Sequence, residues 1–158
     1  MAPMPVLAVL LSVLGLVPFV VCGLAAVGPD AATADRMLHT LISYAAVILA
    51  FSGGIHWGLE LQSPHADRFT GRARLCASVA APLIAWIALL LPLVIATWSA
   101  LIVLIAAYIG AVLAEQRAAG LGLLPPRFLW LRWGFTIPAV AMLVTVLTIR
   151  LLGQTIEF

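Results

Sequence analysis

The chain has 158 residues, of which 65% are hydrophobic and only 9% are charged, and its formal net charge is +2. A soluble domain carries about 25% charged residues, so this composition excludes an ordinary water-soluble fold and indicates a bilayer as the surroundings. A net charge this small also excludes the dense basic face that nucleic-acid binding requires.

The first two apolar runs each predict one membrane-spanning helix. Residues 6–28 and 38–61 both reach the length of about 20 residues that a bilayer core requires. Pro18 lies inside the first run and lacks a backbone N–H, so a kink is expected there. The residues between the two runs, 29–37, contain three charges and predict a short polar link.

The uncharged stretch from 75 to 114 is too long for one crossing. Its roughly 40 residues would form a helix of about 60 Å, twice the thickness of the hydrocarbon core. It therefore predicts two spans, 75–93 and 97–115, joined by a tight hairpin and preceded by a polar loop over 62–74. A loop rich in Gly and Pro follows, and then a fifth span over 128–152.

These elements predict an all-α, polytopic membrane helical bundle with five transmembrane helices, and residues 1–158 form a single integral membrane domain. Six of the eight arginines fall on the side of the N-terminus, in the 62–74 loop and the 115–132 region. Only Arg36 and Arg150 fall on the other side. Because cytoplasmic loops carry an excess of Arg and Lys, we expect an N-in/C-out orientation.

Small residues form one stripe of the second predicted helix. Gly54 and Gly58 are four residues apart and lie on the same helical face. This spacing lets the backbone of a neighbouring helix approach closely. Gly110, flanked at the same spacing by Ala106 and Ala114 on span four, is the matching surface that we expect within the chain. We assign Gly54, Gly58 and Gly110 to helix packing.

Ionisable residues within spans are costly and often mark function, and several lie near one predicted membrane face. The spacing of His56 and Glu60 lets the carboxylate hold and polarise the imidazole. Glu115 ends span four and Arg132 opens span five on the same side, where Trp57 lies at the interface. We expect these five residues to form a polar cluster in the cytoplasmic leaflet. It is either a structural network or a pocket for a lipid headgroup, a quinone or a proton.

No complete catalytic or metal-binding set is evident. One His and one Glu on a helix make an incomplete ligand set, and no nucleophile is paired with a base in reach. A second intramembrane His, which haem ligation by two helices would require, is absent. We therefore expect no enzymatic activity, no metal and no cofactor.

Two segments resemble a known family. Residues 51–58, Phe-Ser-Gly-Gly-Ile-His-Trp-Gly, resemble the FLGGIHWG-type signature of the transmembrane-protein-69-like family, also called domain of unknown function 3429. Leu131-Arg132 followed by Phe135-Thr136 resembles its second signature, and Glu115 falls where the family has an acidic residue. The resemblance implies a multi-pass protein of the bacterial inner (cytoplasmic) membrane, and it implies no activity.

The sequence thus favours a non-catalytic bundle that scaffolds or assists a membrane complex. The alternative is a protein that binds or carries a small molecule or a proton through the His/Glu/Arg cluster. The expected partners are the lipid bilayer and other membrane proteins.

Overall fold

The computed structural model describes residues 6–61, 68–120, 122, 124 and 126–156. Within this part of the chain there are five α-helices: α1 (Val6–Ala25), α2 (Ala31–Leu61), α3 (Arg68–Val94), α4 (Thr97–Gly120) and α5 (Pro126–Ile156). Each is long and apolar enough to cross a membrane. The prediction of an all-α membrane bundle with five transmembrane helices is confirmed, and the chain is a multi-pass membrane protein.

Helix α2 begins within the segment where the sequence predicts a polar link. Asp30 is its N-cap: the carboxylate accepts a hydrogen bond from the Thr33 N–H at 2.9 Å. The backbone carbonyl of Asp30 accepts the first helical hydrogen bond, from the Ala34 N–H at 2.8 Å. Side-chain and backbone hydrogen bonds from Thr33 hold the pKa of the Asp30 carboxyl below its ordinary value. Capping and good helix formers thus extend α2 toward α1.

Helices α3 and α4 also extend into predicted loops. Helix α3 begins at Arg68 and α4 continues to Gly120, five residues past Glu115. Gly122, with a φ of 74°, follows the end of α4, and its N–H donates to the Ala119 carbonyl at 2.9 Å. That left-handed conformation suits glycine and ends the helix. Helix α5 then opens on Pro126, a residue favoured at the first helical position.

The chain divides into two compact units. One contains Met1–Leu41 and Tyr108–Phe158, and the other contains Ile42–Ala107. In the second unit, α2 and α3 approach closely at Gly53: a Cβ built there would lie 2.5 Å from the carbonyl oxygen of Ser78. The absence of a side chain at Gly53 permits this approach.

In the first unit, α1 and α5 pack side by side and run in the same direction. Phe19 meets Phe135 near the middle of the pair. Farther along both helices, Gly23 is packed against the side chain of Met142. Beyond the end of α1, the Ala26 carbonyl accepts a hydrogen bond from Arg150 Nε at 3.0 Å. These contacts ascend together along both helices, so the pair is parallel.

An aromatic cluster joins three helices of this unit. The Phe19 ring meets the Tyr108 ring of α4 edge to face, with 6.2 Å between centroids and 80° between planes. It meets Phe135 of α5 in the same way, at 5.9 Å and 81°. Phe19 and Tyr108 are both fully buried. The cluster therefore fixes α1 against α4 and α5 at the centre of the unit.

Candidate functional site

Glu115 and Arg132 form an ion pair between α4 and α5. Arg132 Nε donates to the Glu115 carboxylate, at 2.7 Å to Oε2 and 3.0 Å to Oε1. The two side chains are 9% and 1% exposed for arginine and glutamate respectively. Glu115 lies five residues before the last residue of α4, and Arg132 lies six residues after the first residue of α5. Both charges thus lie about 8 Å inside the ends of antiparallel neighbours.

Burial determines how this ion pair contributes to stability. An unpaired charge in a low-dielectric interior is strongly unfavourable, and the attraction between the partners offsets that desolvation. Their hydrogen bond fixes the separation and rotation of α4 and α5, since a displacement of either helix would separate buried charges. The pair therefore acts as a clamp between α4 and α5.

The polar character continues one helical turn farther along α5. Thr136 is 3% exposed, and its hydroxyl has no hydrogen-bond partner among the described residues. Thr136 follows Arg132 by four residues, so both lie on one face of α5. A buried hydroxyl of this kind can accept or donate one hydrogen bond to a small molecule or water.

The other residues of the predicted polar cluster lie on α2. His56 is half-buried and Trp57 is 52% exposed. The side chain of Glu60 lies outside the part of the chain that the structure describes. The structure brings Glu115 and Arg132 together, whereas the convergence of His56, Trp57 and Glu60 with them stays a prediction.

The three glycines assigned to helix packing lie on exposed faces. A Cβ built on Gly54, Gly58 or Gly110 meets no described atom within 4 Å. The expected close approach to Gly110 is therefore absent among the described residues. The close contact occurs instead at Gly53, one residue away and on a different face of α2. A packing role for the three glycines stays a prediction, and it needs a helix from outside the described chain.

Comparison with known families decides the relationship that the two signatures suggest. Residues 4–148 match the model of a family described as "Protein of unknown function (DUF3429)". The chain belongs to this family. The match confirms the resemblance to domain of unknown function 3429, while the link to transmembrane protein 69 rests on the signatures alone. No curated protein and no solved structure matches the chain.

This DUF3429 member has a second set of polar contacts that sequence reasoning missed. Arg150 Nη1 donates to Asp35 Oδ1 at 2.8 Å, and its Nε donates to the Ala26 carbonyl. Arg150 thereby connects the end of α5 to the ends of α1 and α2. The available signal was that Asp35 and Arg150 lie on the same predicted membrane side. The Arg150 and Asp35 side chains are 28% and 65% exposed, so this ion pair is much more exposed than the Glu115–Arg132 pair.

Metal binding has no local support in the described part of this DUF3429 member. There, no group of three His, Cys, Asp or Glu side chains could hold a metal ion. Cys22, which is buried, and Cys76, which is exposed, are both free thiols. The site that the geometry defines is therefore the Glu115–Arg132 pair with Thr136 beside it.

Proposed function

We propose that this chain is a non-catalytic helical bundle of the bacterial inner membrane that scaffolds or assists a larger membrane complex. The observation that carries the proposal is the Glu115–Arg132 pair. Its two charges face each other across α4 and α5 at 1% and 9% exposure, a geometry suited to holding helices together. A site that acted on a substrate would instead present such groups to an open pocket.

The exposed face of α2 supports a partner that is itself a membrane protein. Phe51, Gly54 and Gly58 follow the i, i+3, i+7 pattern and share one face. Phe51 is 68% exposed, and a Cβ built on either glycine meets no described atom within 4 Å. In lipid, helices associate through small residues that let backbones come close, and a large neighbouring side chain adds packing area. We infer that a helix of the complex packs on this face.

Two indications of different kinds support the inner membrane as the location. The family signatures resemble bacterial membrane proteins. The arginine distribution favours a cytoplasmic N-terminus, since six of the eight arginines share its side. A reporter fused to either terminus tests this orientation.

Extraction in a mild detergent tests the scaffold role. The wild-type chain is expected to co-purify with stoichiometric partner proteins. Gly54→Leu/Gly58→Leu is expected to release it as a monomer with a melting temperature no lower than that of the wild type, because a Cβ at either position meets no described atom within 4 Å. Gly153→Leu is the matched control, since its Cβ also meets open space, and it should keep the partners. A wild-type chain without partners, or a double variant that keeps them, would contradict the proposal.

A second candidate function is binding or carriage of a small molecule or proton at the polar cluster. The buried Thr136 hydroxyl favours it, because a bound lipid headgroup or quinone could supply the missing hydrogen bond. Native mass spectrometry should then show a ligand that Thr136→Val loses without losing thermal stability. A ligand-free wild-type protein, or a variant that unfolds together with ligand loss, would count against this function.

A further inference from the structure

A groove of about 230 Å³ lies between α1 and α5. Its walls come from Val9, Val13 and Leu16 of α1 and from Leu131 and Phe135 of α5. The walls are apolar. Ser12, the one hydroxyl among the described lining residues, donates to the Ala8 carbonyl of its own helix at 2.9 Å. The groove therefore offers hydrocarbon contact and little hydrogen bonding to an occupant.

The rim of the groove is open to the surroundings of the helices. Val9, Val13 and Trp130 on its edges are 40%, 57% and 77% exposed. Gly134 deepens it, because a Cβ built at this position meets no described atom within 4 Å. In a membrane-spanning chain, an apolar groove that opens sideways faces lipid tails and not water.

The α5 side of the groove continues into a positive charge. Arg127, Trp130 and Gly134 follow the i, i+3, i+7 pattern and share one face of α5. Arg127 is exposed and lies about 10 Å along the helix axis from Gly134, toward the start of α5. Trp130 lies between them, and tryptophan is enriched at headgroup depth. Along this face a cation, an indole and an apolar groove follow one another. They match the headgroup, the interfacial region and the acyl chain of an anionic lipid in the same order.

We propose that the α1–α5 groove binds one acyl chain of an anionic phospholipid, whose headgroup phosphate is held by Arg127. The acyl chain fills the space beside Gly134, and Trp130 packs at the junction of tail and headgroup. The site is separate from the Glu115–Arg132 pair and does not depend on the scaffold role.

Native mass spectrometry of the purified full chain tests this proposal with phosphatidylglycerol and phosphatidylcholine as probes. The wild type should retain one phosphatidylglycerol with an affinity about fivefold above that for phosphatidylcholine. Gly134→Leu adds a side chain to the groove lining, at a position where a Cβ meets no described atom within 4 Å, and should abolish retention, whereas Gly153→Leu should not. Arg127→Gln should lower the phosphatidylglycerol affinity to the phosphatidylcholine level, whereas Arg117→Gln, at the exposed end of α4, should leave it unchanged.

Three results would overturn the proposal. The first is equal lipid retention by Gly134→Leu and the wild type. The second is equal affinity for the two lipids in the wild type, which would remove the preference for an anionic lipid. The third is a dimer that Gly134→Leu dissociates, which would show that a second copy of the chain occupies the groove.

Discussion

Arg132 Nε lies 2.7 Å from Oε2 of Glu115, and this contact joins the end of α4 to the start of α5. Both partners are buried, so the loss of one of them should destabilise the protein more than the same loss from a surface pair would. Removal of either charge leaves the other without its counter-ion in a low-dielectric interior. Close packing of Phe19 with Tyr108 and Phe135 holds the same helices farther along. The Glu115–Arg132 pair and the aromatic cluster therefore both stabilise the first unit.

Adjacent glycines of α2 should respond oppositely to alanine. At Gly53 the new Cβ would lie 2.5 Å from a backbone oxygen of α3, so Gly53→Ala should destabilise by about 1–3 kcal/mol. At Gly54 the space is open, and Gly54→Ala should be neutral or stabilising by up to about 1 kcal/mol through helix propensity. Unfolding in detergent measures both, and equal effects would contradict this packing.

Truncation of Phe19 should weaken the first unit. Phe19→Ala leaves a cavity at a fully buried position and removes two edge-to-face ring pairs, so a loss of about 3–5 kcal/mol is expected. Val20→Ala is the control, since Val20 is 43% exposed on the same helix. Thermal unfolding compares the two. If the Phe19 variant were no less stable than the control, the aromatic cluster would not be a packing centre.

The Asp30 cap should make stability dependent on acidity. Its pKa is lowered in the folded state, so its contribution is fully present above the ordinary aspartate pKa and is lost as the pH falls through the lower folded value. Asp30→Asn keeps a neutral cap that does not titrate in this range. The difference in melting temperature between wild type and Asp30→Asn should be constant near neutral pH and shrink below about pH 4. A difference independent of pH would exclude the charged cap.

The two ion pairs of the first unit should differ in strength. The Arg150–Asp35 side chains are 28% and 65% exposed, and exposed pairs contribute about 0.2–1 kcal/mol. Asp35→Asn should therefore change the free energy of unfolding by less than about 1 kcal/mol. Glu115→Gln, at a buried pair, should cost clearly more. Equal losses of unfolding free energy at the two positions would mean that burial does not determine how much each ion pair stabilises the protein.

The sequence predicted the helices better than their ends. Apolar runs of sufficient length define the five spans. A helix is the structure that such a run adopts in lipid, because it makes its backbone hydrogen bonds within the segment. The start of α2 at Ala31 depends on one capping hydrogen bond to Asp30, and the sequence pattern there reads equally well as a polar link. The end of α4 depends on Gly122, seven residues beyond Glu115, where the apolar run stops.

Of the contacts in the candidate site, the sequence predicted the one between the end of α4 and the start of α5. Glu115 and Arg132 follow one another across a single loop on one membrane side, so their contact could be expected from topology. The contact of Arg150 with Asp35 needed the packing of the second helix against the last, which no local pattern encodes. The Gly54–Gly58 stripe marks a small face but does not say which neighbour covers it, and the structure places the close approach at Gly53.

A double-mutant cycle on Glu115 and Arg132 tests the central claim that this pair clamps α4 to α5. Glu115→Leu and Arg132→Met should each cost about 3–5 kcal/mol of unfolding free energy in detergent, because each removes one partner of a buried ion pair. The double variant should recover most of that loss, since an apolar pair of similar volume suits the same interior. Additive losses, or single variants as stable as the wild type, would contradict the clamp.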